Sequence, residues 1–236
     1  NFLKLYEKFC PGPITFVLKL KNYSKISKFV TNKQKSLAVR FPKHPLFRKL
    51  LKNLKYPLAA PSANISTRLS SVQPSDVIEE FGSKIKYILN GGKCKIGVES
   101  TIVNLTTRPK ILRLGGLEIS RIEKVLKKKI PLVTRTKKIV SPGQFRLHYS
   151  PGIPLRTNVK IPKKNEAFIL IKKRKIISKD HYYLSKKNNL KQAAKNLYSL
   201  LRKIKKNRYK MIAVEKIPNI GFGKTINDRL NRASKF

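Results

Sequence analysis

The sequence predicts an α/β or α+β domain followed by a smaller unit of Rossmann-like βαβα order. Three observations carry that prediction. Short β-branched, apolar runs alternate with segments of helical period across residues 1–130. A stretch from 131 to 164 holds Pro131, Pro142, Pro151, Pro154 and Pro162 without a clear period and reads as a linker or lid. Residues 165–236 then run strand, helix, strand, helix. The length of 236 residues suits one large domain or two small ones, at roughly 100–200 residues each. With 40% hydrophobic residues the chain can bury a core, so wholesale disorder is not expected.

In chain order, residues 14–20 (ITFVLKL) and 36–40 (SLAVR) read as strands. Leu46, Phe47, Leu50, Leu51 and Leu54 recur at helical spacing after Pro45 and stop before Pro57. Residues 57–64 (PLAAPSAN) are small, Pro-broken and uncharged, as expected of a strand end running into a tight loop. Ser75 and Asp76 can cap a short helix through about Phe81, and 85–89 (IKYIL) reads as a further strand. Residues 100–105 (STIVNL) and 110–114 (KILRL) are strand-like, and Gly115-Gly116 opens onto a helix at about 118–128. In the last unit, 167–171 (AFILI) and 211–214 (MIAV) are strands. Leu190, Ala193, Ala194, Leu197, Leu200, Leu201 and Ile204 mark one helix face, and a final helix carries Ile226 and Leu230.

Composition narrows the chemistry. Cys10 and Cys94 are too few for a disulfide framework, no CxxC is present, and His44, His148 and His181 fall in no zinc-binding pattern. A reduced, cytosolic setting is expected, and no run of about 18 apolar residues suggests a membrane span. Opening on Asn1-Phe2-Leu3-Lys4 without Met or signal peptide, the chain reads as an excised or fragmentary sequence. The charge is extreme: 55 Lys and Arg against 11 Asp and Glu give +44. Counterion release would draw such a chain to RNA, DNA or nucleotide phosphates. Lys, Asn and Ile are all plentiful, however, and the Lys are spread along the chain, so genome-wide base composition accounts for the surplus equally well.

Several motifs could carry chemistry, and each has a plain structural reading. Pro11-Gly12-Pro13-x-Thr15 leads into a strand and alone is a turn. Ser36 and Arg40 share a face of a regular strand, a polar pair able to hold a carboxylate or simply an exposed surface. His44-Pro45 is a helix-starting turn. Pro61-Ser62-Ala63-Asn64 carries the most weight: small side chains and a Pro-fixed backbone let main-chain N–H groups approach a phosphate, while Ser62 and Asn64 add donors. Ser66, Ser70 and Ser71 continue this hydroxyl-rich run, which lacks the Walker pattern of a P-loop. Gly97-Val98-Glu99-Ser100-Thr101 sets an acid and two hydroxyls at a strand mouth, either a capped turn or a substrate contact. Arg113 ends a strand before Gly115-Gly116, where a guanidinium can reach an anion over bare backbone. His148 and Tyr149 lie in the linker where no core requires them, which suits a lid; alternatively Tyr149 staples the linker to a domain. Gly221-x-Gly223 lacks the third glycine of a dinucleotide fingerprint and reads as a helix-opening turn.

Together these residues resemble one family, the Sua5/YrdC group of threonylcarbamoyl-AMP synthases. The resemblance rests on Pro11-Gly12-Pro13-x-Thr15, Ala38-Val39-Arg40-x-Pro42-x-His44-Pro45, the run from Pro57 to Asn64, the run from Gly97 to Val103, and Leu112-Arg113-x-Gly115. Ser141-Pro142-Gly143 through His148-Tyr149-x-Pro151, and Gly221-x-Gly223 to Asp228-Arg229-Leu230, are similar to the linker and C-terminal domain of the longer, two-domain Sua5 form. What the resemblance implies is a YrdC-like twisted open mixed sheet with helices in 1–130, a linker or lid in 131–164 and a Sua5-type C-terminal domain in 165–236. It also implies synthesis of L-threonylcarbamoyladenylate from L-threonine, bicarbonate and ATP, with Mg2+ accompanying the ATP and pyrophosphate released. The product would feed the t6A modification of tRNAs that read ANN codons in the cytoplasm, with tRNA or the transfer machinery as a partner and no membrane.

Carried over by position, Ser36, Arg40, Ala60 and Ser100 or Thr101 would line the threonine end. Ser62, Asn64, Ser70 and Arg113 would hold the nucleotide, and Tyr149 would come from the linker to cover it. No covalent nucleophile and no protein-held metal is implied. The family's upstream segment, with its Lys-x-Arg element, has no counterpart after Asn1, so the chain is expected to lack the first third of the catalytic domain and to be incomplete at the ATP site. Thr67-Arg68 stands where the family more often has Gly. The alternative from another class is a basic RNA-binding module without catalysis, although Phe and Tyr fall mostly at core positions rather than among Arg.

Overall fold

The structure, a computed structural model, describes residues 1–21, 26–133, 148–175 and 178–235. Its elements run α1 (Phe2–Phe9), β1 (Ile14–Lys19), α2 (Lys28–Thr31), β2 (Ser36–Arg40), α3 (Pro45–Lys52), α4 (Pro74–Phe81), β3 (Thr101–Asn104), β4 (Lys110–Arg113), α5 (Ile119–Leu126), β5 (Leu155–Arg156), β6 (Glu166–Leu170), β7 (His181–Tyr183), α6 (Leu190–Lys206), β8 (Met211–Val214) and α7 (Phe222–Ala233). They group into two units, Asn1–Pro61 with Glu99–Gln144 and Ser62–Val98 with Phe145–Phe236. Residues 62–98, which the sequence pattern attaches to the first 130, thus group with the C-terminal strands.

The first unit is built on a four-stranded mixed sheet, β2-β1-β3-β4. β1 runs parallel to β3 and antiparallel to β2, and β4 returns antiparallel to β3. Alternation gives this sheet two unlike faces. Ile14, Phe16, Val103 and Ile111 turn to one side, where Leu5 and Phe9 of α1 and Ile122 of α5 complete an apolar core. Phe2, Leu5 and Phe9 recur at helical spacing, which is why residues 2–9 fold as a helix. The opposite face carries a much smaller cluster, Val17, Ile102 and Leu112, among polar residues. α3 forms as its period predicts, with Pro45 in its first turn after an extended His44, yet none of its residues is buried.

The sheet of the second unit is wholly parallel, in the order β5-β8-β6-β7. Ala167, Ile169, Ile212 and Val214 cluster with Ala193, Leu197 and Leu201 of α6 and with Ile226 and Leu230 of α7. Phe168, Leu170 and Ala213 turn to the other face, so 167–170 of β6 and the whole of β8 read as continuous apolar runs. Asn189 caps α6 by accepting the Gln192 N–H at 2.9 Å. A Cβ on Gly223 would lie 1.9 Å from the Pro218 carbonyl oxygen, so the Gly-x-Gly motif is a tight helix-opening turn. Arg156 forks onto Glu166, Nε to Oε1 at 2.9 Å and Nη2 to Oε2 at 2.5 Å, and the Lys163 N–H adds 2.7 Å to Oε2. The Arg156 guanidinium holds the Glu166 carboxyl below the usual carboxylate range.

Three expectations are corrected here. Residues 85–89 form no strand: a 3-10 turn at Gly82–Lys84 precedes them, no strand among the described residues pairs with them, and Tyr87 is 90% exposed. α4 starts at Pro74 with Gln73 as its cap rather than Ser75 or Asp76; Asp76 instead reaches back from the first turn to accept the Val72 N–H at 2.8 Å. Part of the Pro-rich stretch is strand, because β5 pairs with β8 through Leu155↔Ile212 and Arg156↔Ala213. Ser141-Pro142-Gly143 lies outside the described residues. Among the described residues no helix is long and apolar enough to cross a membrane.

Candidate functional site

Strand register assembles the polar face of the first unit. Thr15 stands opposite Arg40 on β2 and opposite Ile102 on β3, and Ile102 stands opposite Arg113 on β4. Paired residues share a face, so Thr15 and Arg40 lie on one surface, and Ser100 joins them by parity with Ile102; a register shift between Ile102 and Val103 breaks the alternation on β4, and Arg113 meets this surface through Ser100. The Thr15 and Ser100 hydroxyls are 2.7 Å apart. Arg113 donates to the Ser100 carbonyl from Nε at 3.1 Å and Nη2 at 3.0 Å, and Nη2 also meets the Ser100 hydroxyl at 3.1 Å. A Cβ on Gly115 would come 2.4 Å from the Glu99 carbonyl oxygen, so only glycine lets the end of β4 press against the turn before β3 and bring Arg113 to Ser100. The result is two hydroxyls backed by a guanidinium, with a second guanidinium across the strand, an arrangement suited to an anion bearing hydrogen-bond donors.

Of the pair Ser100 and Thr101, the structure turns only Ser100 to this face. Thr101 is fully buried, and its hydroxyl donates to the Leu117 carbonyl at 2.5 Å while accepting the Leu117 N–H at 3.1 Å. Ser36 shares the face of Arg40 but pairs with Lys19 at the far end of the ladder. Four residues of strand, about 13 Å, separate it from Arg40. Ala60 is exposed near the end of the first stretch of this unit. Thr15 was legible only as the end of a turn motif; its place in the ladder makes it a site candidate.

The remaining candidates belong to the second unit. Ser62 is exposed, and its carbonyl accepts the Asn64 N–H at 3.0 Å. The Asn64 side chain is buried and turned inward: Nδ2 donates to the carbonyls of Ile65 at 2.8 Å and Arg68 at 3.2 Å. Its amide donors therefore serve the loop, and Oδ1 is the atom with no hydrogen-bond partner among the described residues. Ser71 Oγ donates to the Ala63 carbonyl at 2.5 Å, Ser70 is buried, and Thr67 adopts φ 69°.

Tyr149 takes the stapling position among the described residues. It is buried, with its ring 5.8 Å from that of Tyr198 and the Arg229 guanidinium 4.6 Å from its centroid. Arg229 is itself fully buried, donates from Nε to the Tyr198 hydroxyl at 3.1 Å and is paired with Asp228. Cation–π contact and stacking staple the chain at 149 into the core of its own unit. No group of three His, Cys, Asp or Glu side chains gathers among the described residues.

A mixed sheet with one polar face of hydroxyls and guanidiniums, together with a small parallel α/β unit, defines a two-unit α/β protein. Comparison with known proteins narrows that class. The model of the Sua5/YciO/YrdC family, described as telomere recombination, matches residues 1–115, and that of the threonylcarbamoyl-AMP synthase C-terminal domain matches 117–235. The threonylcarbamoyl-AMP synthase of Pyrococcus abyssi is 32% identical over 252 residues, covering 98% of this chain and 73% of that protein. The threonylcarbamoyl-AMP synthase of Bacillus subtilis is 30% identical over 249 residues, covering 98% and 72%. The crystal structure of P. abyssi Sua5 complexed with L-threonine superposes with a TM-score of 0.87 at 30% identity, covering 99% of this chain and 73% of that one. The chain belongs to the Sua5/YrdC family.

Proposed function

We propose that this chain is a threonylcarbamoyl-AMP synthase, which joins L-threonine, bicarbonate and ATP into L-threonylcarbamoyladenylate and releases pyrophosphate. The observation that carries the reading is the Thr15–Ser100–Arg113 constellation on the polar sheet face. It is supported by relatives of that name along nearly the whole chain and by the L-threonine held in the P. abyssi structure. The basic-module alternative has no comparable support.

The threonine amine takes up the carbon of bicarbonate with loss of water, giving a carbamate. A carbamate oxygen then attacks the α-phosphorus of ATP, and the bond from that phosphorus to pyrophosphate breaks. Such a reaction needs position and charge rather than a nucleophile on the protein. In the first unit, Arg40 would take the threonine carboxylate as a fork, and Thr15 and Ser100 would orient the threonine hydroxyl and carbamate. Arg113, fixed on Ser100, would face the developing negative charge. In the second unit, Ser62, Ser70 and the backbone of their loop would take the nucleotide, with Asn64 bracing that loop through its bonds to the Ile65 and Arg68 carbonyls. Mg2+ would enter as part of MgATP, neutralising phosphate charge. The adenylate would then feed t6A modification of tRNA.

The test is pyrophosphate release by the full-length protein. Release that requires both L-threonine and bicarbonate is expected; release indifferent to threonine, or none at all, overturns the reading.

A further inference from the structure

We propose that Arg202, on helix α6 in the C-terminal half, is a positioning residue for the loop 62–72. The inference rests on the reading of that loop as the nucleotide site. Arg202 lies far along the chain from any motif, yet its side chain is only 11% exposed and is committed to that loop and the helix after it. Nη2 donates to the Leu69 carbonyl at 2.8 Å and approaches Glu80 Oε1 at 3.3 Å, while Nε lies 3.6 Å from Asp76 Oδ2. Both carboxylate side chains are 6% exposed. Each in turn holds the loop or its base: Asp76 Oδ2 accepts the Val72 N–H at 2.8 Å, and Glu80 Oε2 lies 3.5 Å from Arg68 Nη1. One guanidinium therefore fixes the carbonyl just before Ser70 and, through Asp76, the N–H two residues after it.

This geometry is more specific than a generic ion pair. Two guanidiniums, Arg202 and Arg68, lie against two carboxylates, Asp76 and Glu80, and Arg202 is the one that reaches both. Without Arg202, the Leu69 carbonyl loses its donor, and Asp76 and Glu80 lose the cation they share. Leu69 and Val72 would shift, and with them Ser70 between them. A loop displaced by about 1 Å binds its ligand poorly even when the fold survives. The C-terminal half thereby acquires a role in substrate binding through a side chain that need not touch substrate.

The experiment uses the full-length enzyme with Arg202→Ala, Arg202→Lys and, as a control, Arg156→Ala, which breaks a different ion pair of the same unit. Arg202→Ala is expected to raise KM for ATP roughly tenfold or more and to leave KM for L-threonine within about twofold. Arg202→Lys keeps the charge beside Asp76 and Glu80 but cannot form the fork, and is expected to recover part of the ATP effect. Arg156→Ala is expected to move neither KM. A loss of kcat with both KM values unchanged, an equal rise in both, or the same split from Arg156→Ala would overturn the proposal and leave Arg202 a purely structural residue. Amide exchange across 64–72 provides a readout independent of turnover: exchange accelerated roughly tenfold by Arg202→Ala, but not by Arg156→Ala, supports positioning, and unchanged exchange refutes it. An inactive wild type would count against the synthase reading, while this exchange result would still decide the role of Arg202.

Discussion

Among the described residues the second unit gathers 22 buried side chains into one apolar cluster, and the largest cluster of the first unit holds 10. The contrast follows from how each sheet uses its faces. The parallel sheet of the second unit is apolar on both sides, with Ile169 and Ile212 on one and Phe168 and Ala213 on the other. The mixed sheet of the first unit is apolar on one side only, and its other side surrounds Val17, Ile102 and Leu112 with Thr15, Arg40, Ser100 and Arg113. A face given over to hydrogen-bonding side chains cannot also be a large core. The candidate chemistry of the first unit thus sits on a face with little apolar packing, backed by the core on the reverse side of the sheet, as expected where polar groups are held for a ligand rather than for stability.

The strongest challenge to this comparison lies in the core. Leu197, fully buried in α6, is expected to cost about 2–5 kcal/mol of unfolding free energy on replacement by Ala, measured in urea. Val17→Ala in the small cluster should cost clearly less, and an equal loss would erase the contrast. Arg113→Ala should show the opposite profile: kcat/KM lowered by roughly 10²–10³, the range for removing one preorganised donor, with a urea midpoint far less affected than in Leu197→Ala. Next comes Tyr198→Phe, which removes the acceptor of buried Arg229 Nε and should destabilise by about 1–3 kcal/mol in thermal unfolding. A neutral result would mean that the Tyr198 hydroxyl contributes little to holding Arg229 in place.

The smallest effects sharpen the picture within the second unit. Thr67 places a β-branched side chain at φ 69°, so Thr67→Gly should raise stability by about 1 kcal/mol. A loss instead would show that its side chain contributes more than the backbone strain it carries. Glu166 supplies the pH dependence. Its carboxyl is held low by Arg156, so the pair stabilises the fold above the ordinary carboxylate range and that contribution is lost as pH falls through the depressed value. Glu166→Gln should therefore be less stable at neutral pH and should have a flatter stability profile towards acid pH.

Much of this organisation is legible in the sequence where local pattern and burial agree. β1, β2, β3, β4, β6 and β8 and the helices α3, α5, α6 and α7 follow from apolar period and turn residues. Residues 85–89 have the composition of a strand but no neighbour to pair with among the described residues, and composition does not reveal partners. β5 and β7 are too short, at two and three residues, to carry a pattern. At the candidate site, the shared face of Ser36 and Arg40 follows from strand parity, whereas their distance from Thr15 depends on the register between strands. The inward turn of Thr101, the inward-facing amide of Asn64, the burial of Tyr149 and the reach of Arg202 to Leu69 all depend on how the chain folds around them. A linear pattern names such side chains and leaves open which way they turn.

Thr67 also has a meaning for descent. Its backbone occupies a conformation that glycine enters freely, asparagine tolerates and threonine resists. In the genetic code the threonine codons that end in a pyrimidine stand one base from asparagine, and every threonine codon stands two from glycine. Among close relatives of this chain, asparagine at position 67 is then the replacement expected to arise first and persist, and glycine the one that needs an intermediate. A set of neighbouring sequences with bulky or β-branched residues there as often as asparagine would mean that something other than the backbone governs that position.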